Sequence, residues 1–167
     1  MTDRHALTGL NTALTQPENQ PEVSFRALQD LVQQTVGARL FTIMEHDATR
    51  HVARRSWTNM PDVYPVTGEK PMLDDRWTDI VVRQRRPFVA NSIAELSDVF
   101  DDHALISSLG CASCLNLPVF IAGAFRGSLN CLDVAGHYTP ERVAAAAALV
   151  APAVAVFLLA DSMRAVI

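Results

Sequence analysis

Two apolar segments separated by a short turn constrain the fold of this chain more than any other feature. They are "CASCLNLPVFI" and "AFRGSLNCLDVA", and the residues near Ala122 and Gly123 between them predict a tight turn. Each segment is apolar at most positions, which is typical of strands inside a sheet. We therefore expect a β-hairpin, with strands Cys114–Ile121 and Gly127–Val134, near the centre of an antiparallel sheet.

The rest of the chain predicts helices around that sheet. Phe25, Leu28 and Leu31 have the three-to-four spacing of one helix face, and Thr139 followed by Pro140 marks the start of the last helix. The elements predicted before the hairpin are helices over residues 3–15, 22–36, 74–86 and 92–110, strands over 39–47, 51–57 and 87–91, and a loop or a loop with a short edge strand over 59–72. This order indicates an α+β domain. Its central antiparallel sheet has five or six strands, with the terminal helices on one face and the connecting helices and loops on the other.

The length of 167 residues predicts a single domain. We assign residues 1–21 to an N-terminal helix and a helix breaker. Residues 22–160 form the domain itself, and residues 161–167 form the tail of the last helix.

Charge and cysteine content bound the class of protein. The net charge of -4 argues against a nucleic-acid surface, and the basic pairs Arg54-Arg55 and Arg85-Arg86 are isolated and interpreted as solvated. The N-terminal residues are polar, without the apolar core of a secretory signal. Three cysteines, an odd number, fit a cytoplasmic protein with reduced thiols.

The segment from Val143 to Ala160 contains no charged residue and approaches the length of a membrane span. It is rich in alanine, Pro152 interrupts it, and charged residues flank both ends, so we interpret it as a buried helix without membrane contact. It is apolar nearly all round, whereas a surface helix needs only one apolar stripe. The N-terminal helix and a partner subunit are expected to cover the remainder, which predicts a homodimer.

Three segments together resemble the GAF domain family. "FRALQDLVQQTVGARLFTIMEHD" is similar to the family's opening helix and first strand, and "TPERVAAAAALVAPAVAV" to its closing helix. "LGCASCLNLPVFIAGAFRGSLNCLD" resembles its hallmark hairpin, in which Leu-Pro-Val leads to a turn followed by a Gly and a Leu-Asn pair. The resemblance covers about Val23 to Phe157, and the middle segments resemble those of small stand-alone bacterial GAF proteins.

The resemblance implies a sensory module that binds a small molecule, since the family mostly binds cyclic nucleotides, tetrapyrroles, haem or metabolites. This chain is expected to act without an attached output domain. The alternative is an enzyme on the same fold, hydrolytic or thiol-dependent, that uses the Asp101–His103 loop or Cys111 and Cys114. A third reading is a structural dimerisation or adaptor module. The identity of the ligand, and of any cofactor, is not encoded in a recognisable motif.

Polar residues in the apolar hairpin are the first candidates for ligand contact. Asn116 and Asn130 interrupt the strands, and a buried amide without a partner costs on the order of 1–3 kcal/mol, so each must meet a backbone group, a water, the other amide or a ligand. Ser113 is a further candidate, although strand alternation places it on the face opposite Asn116. A hydrogen bond that fixes the hairpin is the alternative role for the amides.

The second group of candidates lies in the segments expected to cover the sheet. Tyr64, Lys70 and Trp77 suit an anionic or flat polar ligand, or are ordinary surface and core residues. Asp102 and His103 combine a carboxylate with an imidazole, which suits general acid–base chemistry or ligand contact. Capping of a helix N-terminus is the alternative role for the acid.

Cys111 and Cys114 have zinc-knuckle spacing, but a structural zinc site needs four ligands, usually as two such pairs. Only Cys131 and scattered histidines remain. A redox CxxC normally opens a helix, where the thiol pKa is lowered, whereas this pair opens a strand. We therefore predict no metal site, expect the two thiols on or near opposite faces, and interpret the cysteines as small buried apolar residues.

The stretch "FDDHALISSLGCASCLNLPV" is predicted to form the wall of a ligand pocket. A helix over residues 102–109 should place Leu105, Ile106 and Leu109 inward, and Gly110 should end it. Alternation along the following strand is predicted to put Cys114 and Asn116 on one face and Ser113, Leu115 and Leu117 on the other.

Overall fold

The computed structural model describes residues 3–165, and its centre is a sheet of six antiparallel strands in the order β3-β2-β1-β6-β5-β4. The strands are β1 (Leu40–Asp47), β2 (Val52–Thr58), β3 (Glu69–Pro71), β4 (Phe88–Ala90), β5 (Ser113–Ile121) and β6 (Ala124–Asp133). The predicted α+β class is confirmed, and the predicted hairpin is β5–β6. The three-residue strands β3 and β4 form the edges, so the long strands lie inside.

Helices flank the sheet on both faces. They are α1 (Asp3–Leu14), α2 (Glu22–Thr35), α3 (Arg76–Thr78) continued by a π-helical turn (Asp79–Arg83), α4 (Ile93–Ser97), α5 (His103–Ser108), α6 (Pro140–Ala145) continued by a 3-10 turn (Ala146–Leu149), and α7 (Val150–Ala165). The long α2 agrees with its prediction. The helix predicted over residues 74–86 is instead a single α-helical turn followed by the π-helical turn, and the helical region predicted over 92–110 is two short helices.

The helices from the two ends of the chain cover one face of the sheet, as predicted. α2 and α7 pack on each other and α7 contacts β5. The buried residues of this layer include Leu10, Leu28, Val32, Phe41, Ile43, Leu115, Leu129, Leu149, Val156 and Phe157. Burial of these apolar side chains is the main stabilising term of the domain.

The segments between β2 and β5 cover the second face. Their core is smaller and includes Leu40, Val81, Phe88, Leu96, Ile106, Cys111, Cys114 and Leu132. The prediction for α5 is only partly right: Ile106 is buried and Leu109 half-buried, but Leu105 is 40% exposed. A helix of one and a half turns presents a single narrow stripe to the sheet, and Leu105 lies to the side of the stripe that Ile106 defines.

β6 approaches β1 so closely at Gly127 that only glycine fits. Its φ is +147°, and a Cβ added there would overlap the carbonyl oxygen of Met44. Gly110, with φ +75°, ends α5 as predicted.

The last helical run starts as its sequence predicts. The Thr139 hydroxyl accepts a hydrogen bond from the Arg142 N–H, and Pro140 occupies the first turn. From Pro140 to Ala165 the run is 26 residues long, and by length and composition it could cross a membrane. Only 33% of its most apolar stretch is buried within the domain.

Candidate ligand-binding pocket

A cavity of about 500 Å³ lies between the sheet and the segments that cover its second face. Strands β1, β2, β5 and β6 form its floor, and β3, α3 and residues 99–106 form its walls. The apolar and aromatic part of the lining includes Leu40, Met44, Tyr64, Met72, Trp77, Phe100, Ile106 and Phe125. A mostly apolar concave site of this volume is typical of pockets for small molecules.

Strand alternation in β5 places polar groups on the cavity floor. Cys114 and Asn116 line the cavity, whereas Leu115 and Leu117 pack into the core under the helices, as predicted. Asn116 stands opposite Asn130 of β6, which in turn stands opposite Thr42 of β1. A polar row therefore crosses three strands at the base of an otherwise apolar cavity.

The two asparagines of this row differ in how they are satisfied. Asn130 donates to Thr42 Oγ1 at 3.3 Å and accepts from Ser128 Oγ at 2.9 Å, so its amide ties β6 to β1. Asn116 Oδ1 accepts the indole N–H of Trp77 at 2.8 Å, which joins the wall of the cavity to its floor. Within the described residues, Asn116 Nδ2 has no hydrogen-bond acceptor, and it is the amide group of the row that remains available to a ligand.

A carboxylate lies at the other end of the cavity. Asp102 Oδ2 accepts hydrogen bonds from Tyr64 Oη at 2.9 Å and from Lys70 Nζ at 3.3 Å. Burial, together with the neighbouring carboxylate, raises the pKa of Tyr64 above its ordinary value. The phenol therefore stays protonated and acts as the hydrogen-bond donor to Asp102. Among the described residues, nothing bonds to the other Asp102 oxygen, Oδ1, although that atom is buried.

Arg55 of β2 also lines the cavity and is only 7% exposed. Its guanidinium carbon lies 4.9 Å from the centroid of the Tyr64 ring, and Nη1 donates to the Pro65 carbonyl at 2.9 Å. Nε is buried and has no acceptor within the part of the chain that the structure describes. Burial lowers the pKa of Arg55 below its ordinary value, and Tyr64 and Asp102 offset only part of that effect.

Aromatic rings form a further part of the cavity lining. Phe125 contacts Trp77 edge to face, with ring centroids 6.4 Å apart, and His46 with centroids 5.4 Å apart. Such rings offer flat apolar surface to a ligand body. The sequence did not indicate Phe125 or His46 as site residues. Phe125 follows the hairpin turn and His46 lies near the end of β1, and neither position shows which loop of the chain covers the side chain.

The structure brings six of the eight predicted site residues together. Those that line the cavity are Tyr64, Lys70, Trp77, Asp102, Asn116 and Asn130. The other two do not line it. Ser113 is buried on the opposite side of β5 and donates to the Val134 carbonyl at 2.7 Å, as strand alternation requires. His103 bonds to the Phe100 carbonyl through Nδ1 at 2.9 Å, so its ring serves the start of α5.

The capping role considered for Asp102 is wrong. It occupies the position before α5, but its side chain makes no capping hydrogen bond. The Tyr64 hydroxyl and the Lys70 ammonium bind the carboxylate instead, and the bond from Lys70 joins two ionised groups. Asp75, by contrast, caps α3, since its carboxylate accepts from the Thr78 N–H.

All three cysteines are buried free thiols. Burial raises the pKa of Cys111, Cys114 and Cys131 above the ordinary value, to about 12 for Cys114, so the thiols stay protonated at neutral pH. Cys111 and Cys114 share the core of the second face, so the expectation of opposite faces is wrong: β5 starts at Ser113, and alternation does not extend back to Cys111. Within residues 3–165, no group of three or more His, Cys, Asp or Glu side chains is placed to hold a metal.

The chain belongs to the GAF domain family, whose model matches residues 18–157. The fold is similar to the GAF domain of a phosphoenolpyruvate-protein phosphotransferase from Coxiella burnetii, with a TM-score of 0.75, 14% identity, and coverage of 99% of this chain and 96% of that chain. It is also similar to the phycocyanobilin-bound GAF domain of a cyanobacterial phytochrome, with a TM-score of 0.70, 11% identity, and coverage of 97% and 96%.

A third similar structure is the GAF domain of a two-component sensor histidine kinase from Bacillus halodurans, with a TM-score of 0.65, 13% identity, and coverage of 84% of this chain and 95% of that chain. A search of curated proteins finds no match to this sequence. Because the sequence identities are this low, the similarity to these solved structures concerns the fold alone.

Proposed function

We propose that this protein is a sensory GAF module that binds a small molecule in the cavity on the second face of its sheet. The observation that carries the proposal is the cavity itself: about 500 Å³ of largely apolar space into which Arg55, Asp102 and Asn116 bring polar groups that the protein leaves incompletely bonded. Buried polar groups are nearly always bonded. A ligand bound in the cavity can supply the missing partners.

The comparisons support a binding role on this fold. One similar GAF domain is described as phycocyanobilin-bound, and another belongs to a sensor histidine kinase. The enzyme alternative has less support, because the buried thiols stay protonated and His103, whose Nδ1 bonds to the Phe100 carbonyl, does not line the cavity. We therefore favour saturable binding without turnover.

Native mass spectrometry of freshly purified protein tests the proposal. A co-purified species in the cavity adds a discrete mass that disappears when the protein is denatured. Quenching of Trp77 fluorescence by added candidate ligands reports binding in the cavity, because Trp77 lines it. Trp57, the other of the 2 tryptophans, packs against the helices on the opposite face of the sheet. Absence of both a bound species and any saturable quenching would contradict the proposal.

We further propose that the module is a homodimer formed through its terminal helices. On the run from α6 to α7, exposed or half-buried residues recur three to four positions apart, at Ala147, Ala151, Val154 and Leu158. Among the described residues, Ala147, Ala151 and Leu158 of this apolar stripe are exposed, whereas Val154 packs partly on the core of the domain. Leu7 of α1 adds a further exposed apolar side chain, 43% exposed. A second copy of the chain supplies the same stripe, which suits a two-fold helix pair.

A further inference from the structure

We propose that the ligand of this pocket is an anion, a flat and largely apolar molecule whose carboxylate or phosphate group is bound by Arg55. The inference rests on the proposed function and adds the chemical class of the ligand to it.

Arg55 has the properties of an anion-binding residue whose guanidinium has no anionic partner among the described residues. It is more than nine-tenths buried, lines the cavity, and carries an Nε–H without an acceptor among the described residues. None of the ion pairs formed by those residues includes it. Within the part of the chain that the structure describes, its guanidinium makes one hydrogen bond, to the neutral Pro65 carbonyl, and lies over the ring of Tyr64.

The charges around Arg55 compensate its cation only in part. Asp102, the carboxylate at this end of the cavity, already accepts from Lys70 and Tyr64, so its charge is shared with another cation. Buried charges in proteins are ordinarily paired, and the guanidinium fork matches a carboxylate or phosphate through two parallel hydrogen bonds. An anionic ligand group supplies the missing counter-charge.

The rest of the cavity defines the body of the ligand. Arg55 pairs with Met44 and Met44 with Ser128, so Arg55 is two strand spacings, about 10 Å, from the strand that carries Asn130. Trp77 and Phe125, whose rings meet edge to face, give the same cavity flat aromatic surface. A molecule with an anionic head and a flat body reaches from Arg55 to the polar row, where Asn116 Nδ2 is free to donate to an acceptor on its far end.

A matched pair of fluorescent dyes tests this without knowledge of the natural ligand. Anilinonaphthalene sulfonate and N-phenylnaphthylamine share one aromatic skeleton and differ in the sulfonate. We expect wild-type protein to bind the sulfonate dye at least about tenfold tighter than the neutral dye. A difference of this size corresponds to the free energy of one hydrogen bond to a charged group. The Trp57→Phe variant leaves Trp77, which lines the cavity, as the emitter, and the loss of dye binding in a cavity variant assigns the quenching to that site.

Two arginine variants separate the site from general electrostatics. Arg55→Met is expected to abolish the preference for the sulfonate and to keep the affinity for the neutral dye. Arg54→Met removes the same charge from the exposed neighbour on the other face of β2 and should keep the wild-type preference. If Arg55→Met does not fold, Arg55→Gln, which keeps a polar side chain, serves the same comparison.

The outcomes distinguish the two proposals. Unchanged sulfonate binding in the folded Arg55 variant overturns the anion inference and leaves the binding function standing. Failure of both dyes to quench Trp77 in the protein that carries wild-type Arg55 overturns the proposed function as well. Displacement of the sulfonate dye by benzoate or by phenyl phosphate, but not by benzyl alcohol, supports the inference and shows which anionic group the site prefers.

Discussion

The guanidinium of Arg55 is stacked on the ring of Tyr64, 4.9 Å from its centroid, in the interior of the domain. The hydroxyl of the same ring donates to Asp102 at 2.9 Å. Tyr64 thus stands between a buried cation and a carboxylate, and the two do not form a direct ion pair. The arrangement holds both charged groups in the lining of the cavity, each with a buried atom that has no hydrogen-bond partner among the described residues.

We predict that Arg55→Met does not destabilise the ligand-free protein. Replacement of a buried charged group by an apolar one of similar volume is often neutral or stabilising by about 1–4 kcal/mol. Urea unfolding of ligand-free protein measures the change. Arg126→Met is the contrast: Arg126 forms an ion pair with Asp161, so its loss should lower the free energy of unfolding. A large destabilisation by Arg55→Met alone would show that Arg55 is structural.

Arg55 could not be predicted from the sequence, and the reason is a β-bulge. Ile43 of β1 stands opposite Trp57 and Met44 opposite Arg55, which leaves Ser56 as an extra residue in β2. Strict alternation places Trp57 and Arg55 on one face. The bulge instead directs Trp57 to the helices and Arg55 to the cavity. The interpretation of Arg54-Arg55 as solvated is therefore wrong for Arg55.

The hairpin was more predictable, because its alternation is uninterrupted where the site lies. Cys114 and Asn116 face the cavity and Leu115 faces the helices, as periodicity requires. The role of Asp102 was not predictable, since it depends on Tyr64 and Lys70, which are more than 30 residues away in sequence. Local patterns define elements, whereas the loops that cover a pocket meet through long-range packing.

The Trp77–Asn116 hydrogen bond is predicted to hold the wall of the cavity to its floor. Asn116→Leu leaves the indole N–H of Trp77 without its acceptor and should lower the free energy of unfolding by about 1–3 kcal/mol. In a Trp57→Phe background, the emission maximum of Trp77 should shift as well. Asn116→Asp keeps an acceptor at the same place and should show a smaller spectral shift. Equal shifts for both variants would contradict the assignment.

Gly127 is predicted to be required for the close approach of β6 to β1. Gly127→Ala combines a φ of +147° with overlap of its Cβ and the Met44 carbonyl oxygen, and should cost more than the roughly 1–3 kcal/mol of backbone strain alone. Gly123→Ala is the matched control: its φ is +83°, but nothing lies within 4 Å of an added Cβ. Thermal unfolding of both variants measures the difference. Similar losses would show that overlap at Gly127 is relieved by strand movement.

The buried thiols predict a fall in stability at alkaline pH. The pKa of Cys114 is about 12 in the fold and 9.0 in its absence, so between these values the unfolded chain releases a proton that the folded chain keeps. Stability is therefore full below pH 9 and decreases above it, by up to about 1.4 kcal/mol per pH unit for one such group. Cys114→Ala should reduce the slope of unfolding free energy against pH. A slope identical to wild type would contradict the role of this thiol.

The stripe on the last helix predicts how the protein associates. Leu158 is 49% exposed on the apolar face of α7, and a glutamate there would bring charge into a helix pair formed by two copies. We expect light scattering to give the mass of a dimer for the wild type and of a monomer for Leu158→Glu. Leu105→Glu is the control, because Leu105 is 40% exposed but lies on α5, over the opposite face of the sheet. It should leave the dimer intact. A monomeric wild type would contradict the proposed dimer. If the wild type co-sediments with lipid vesicles and Leu158→Glu does not, the stripe binds a lipid surface and not a second copy of the chain.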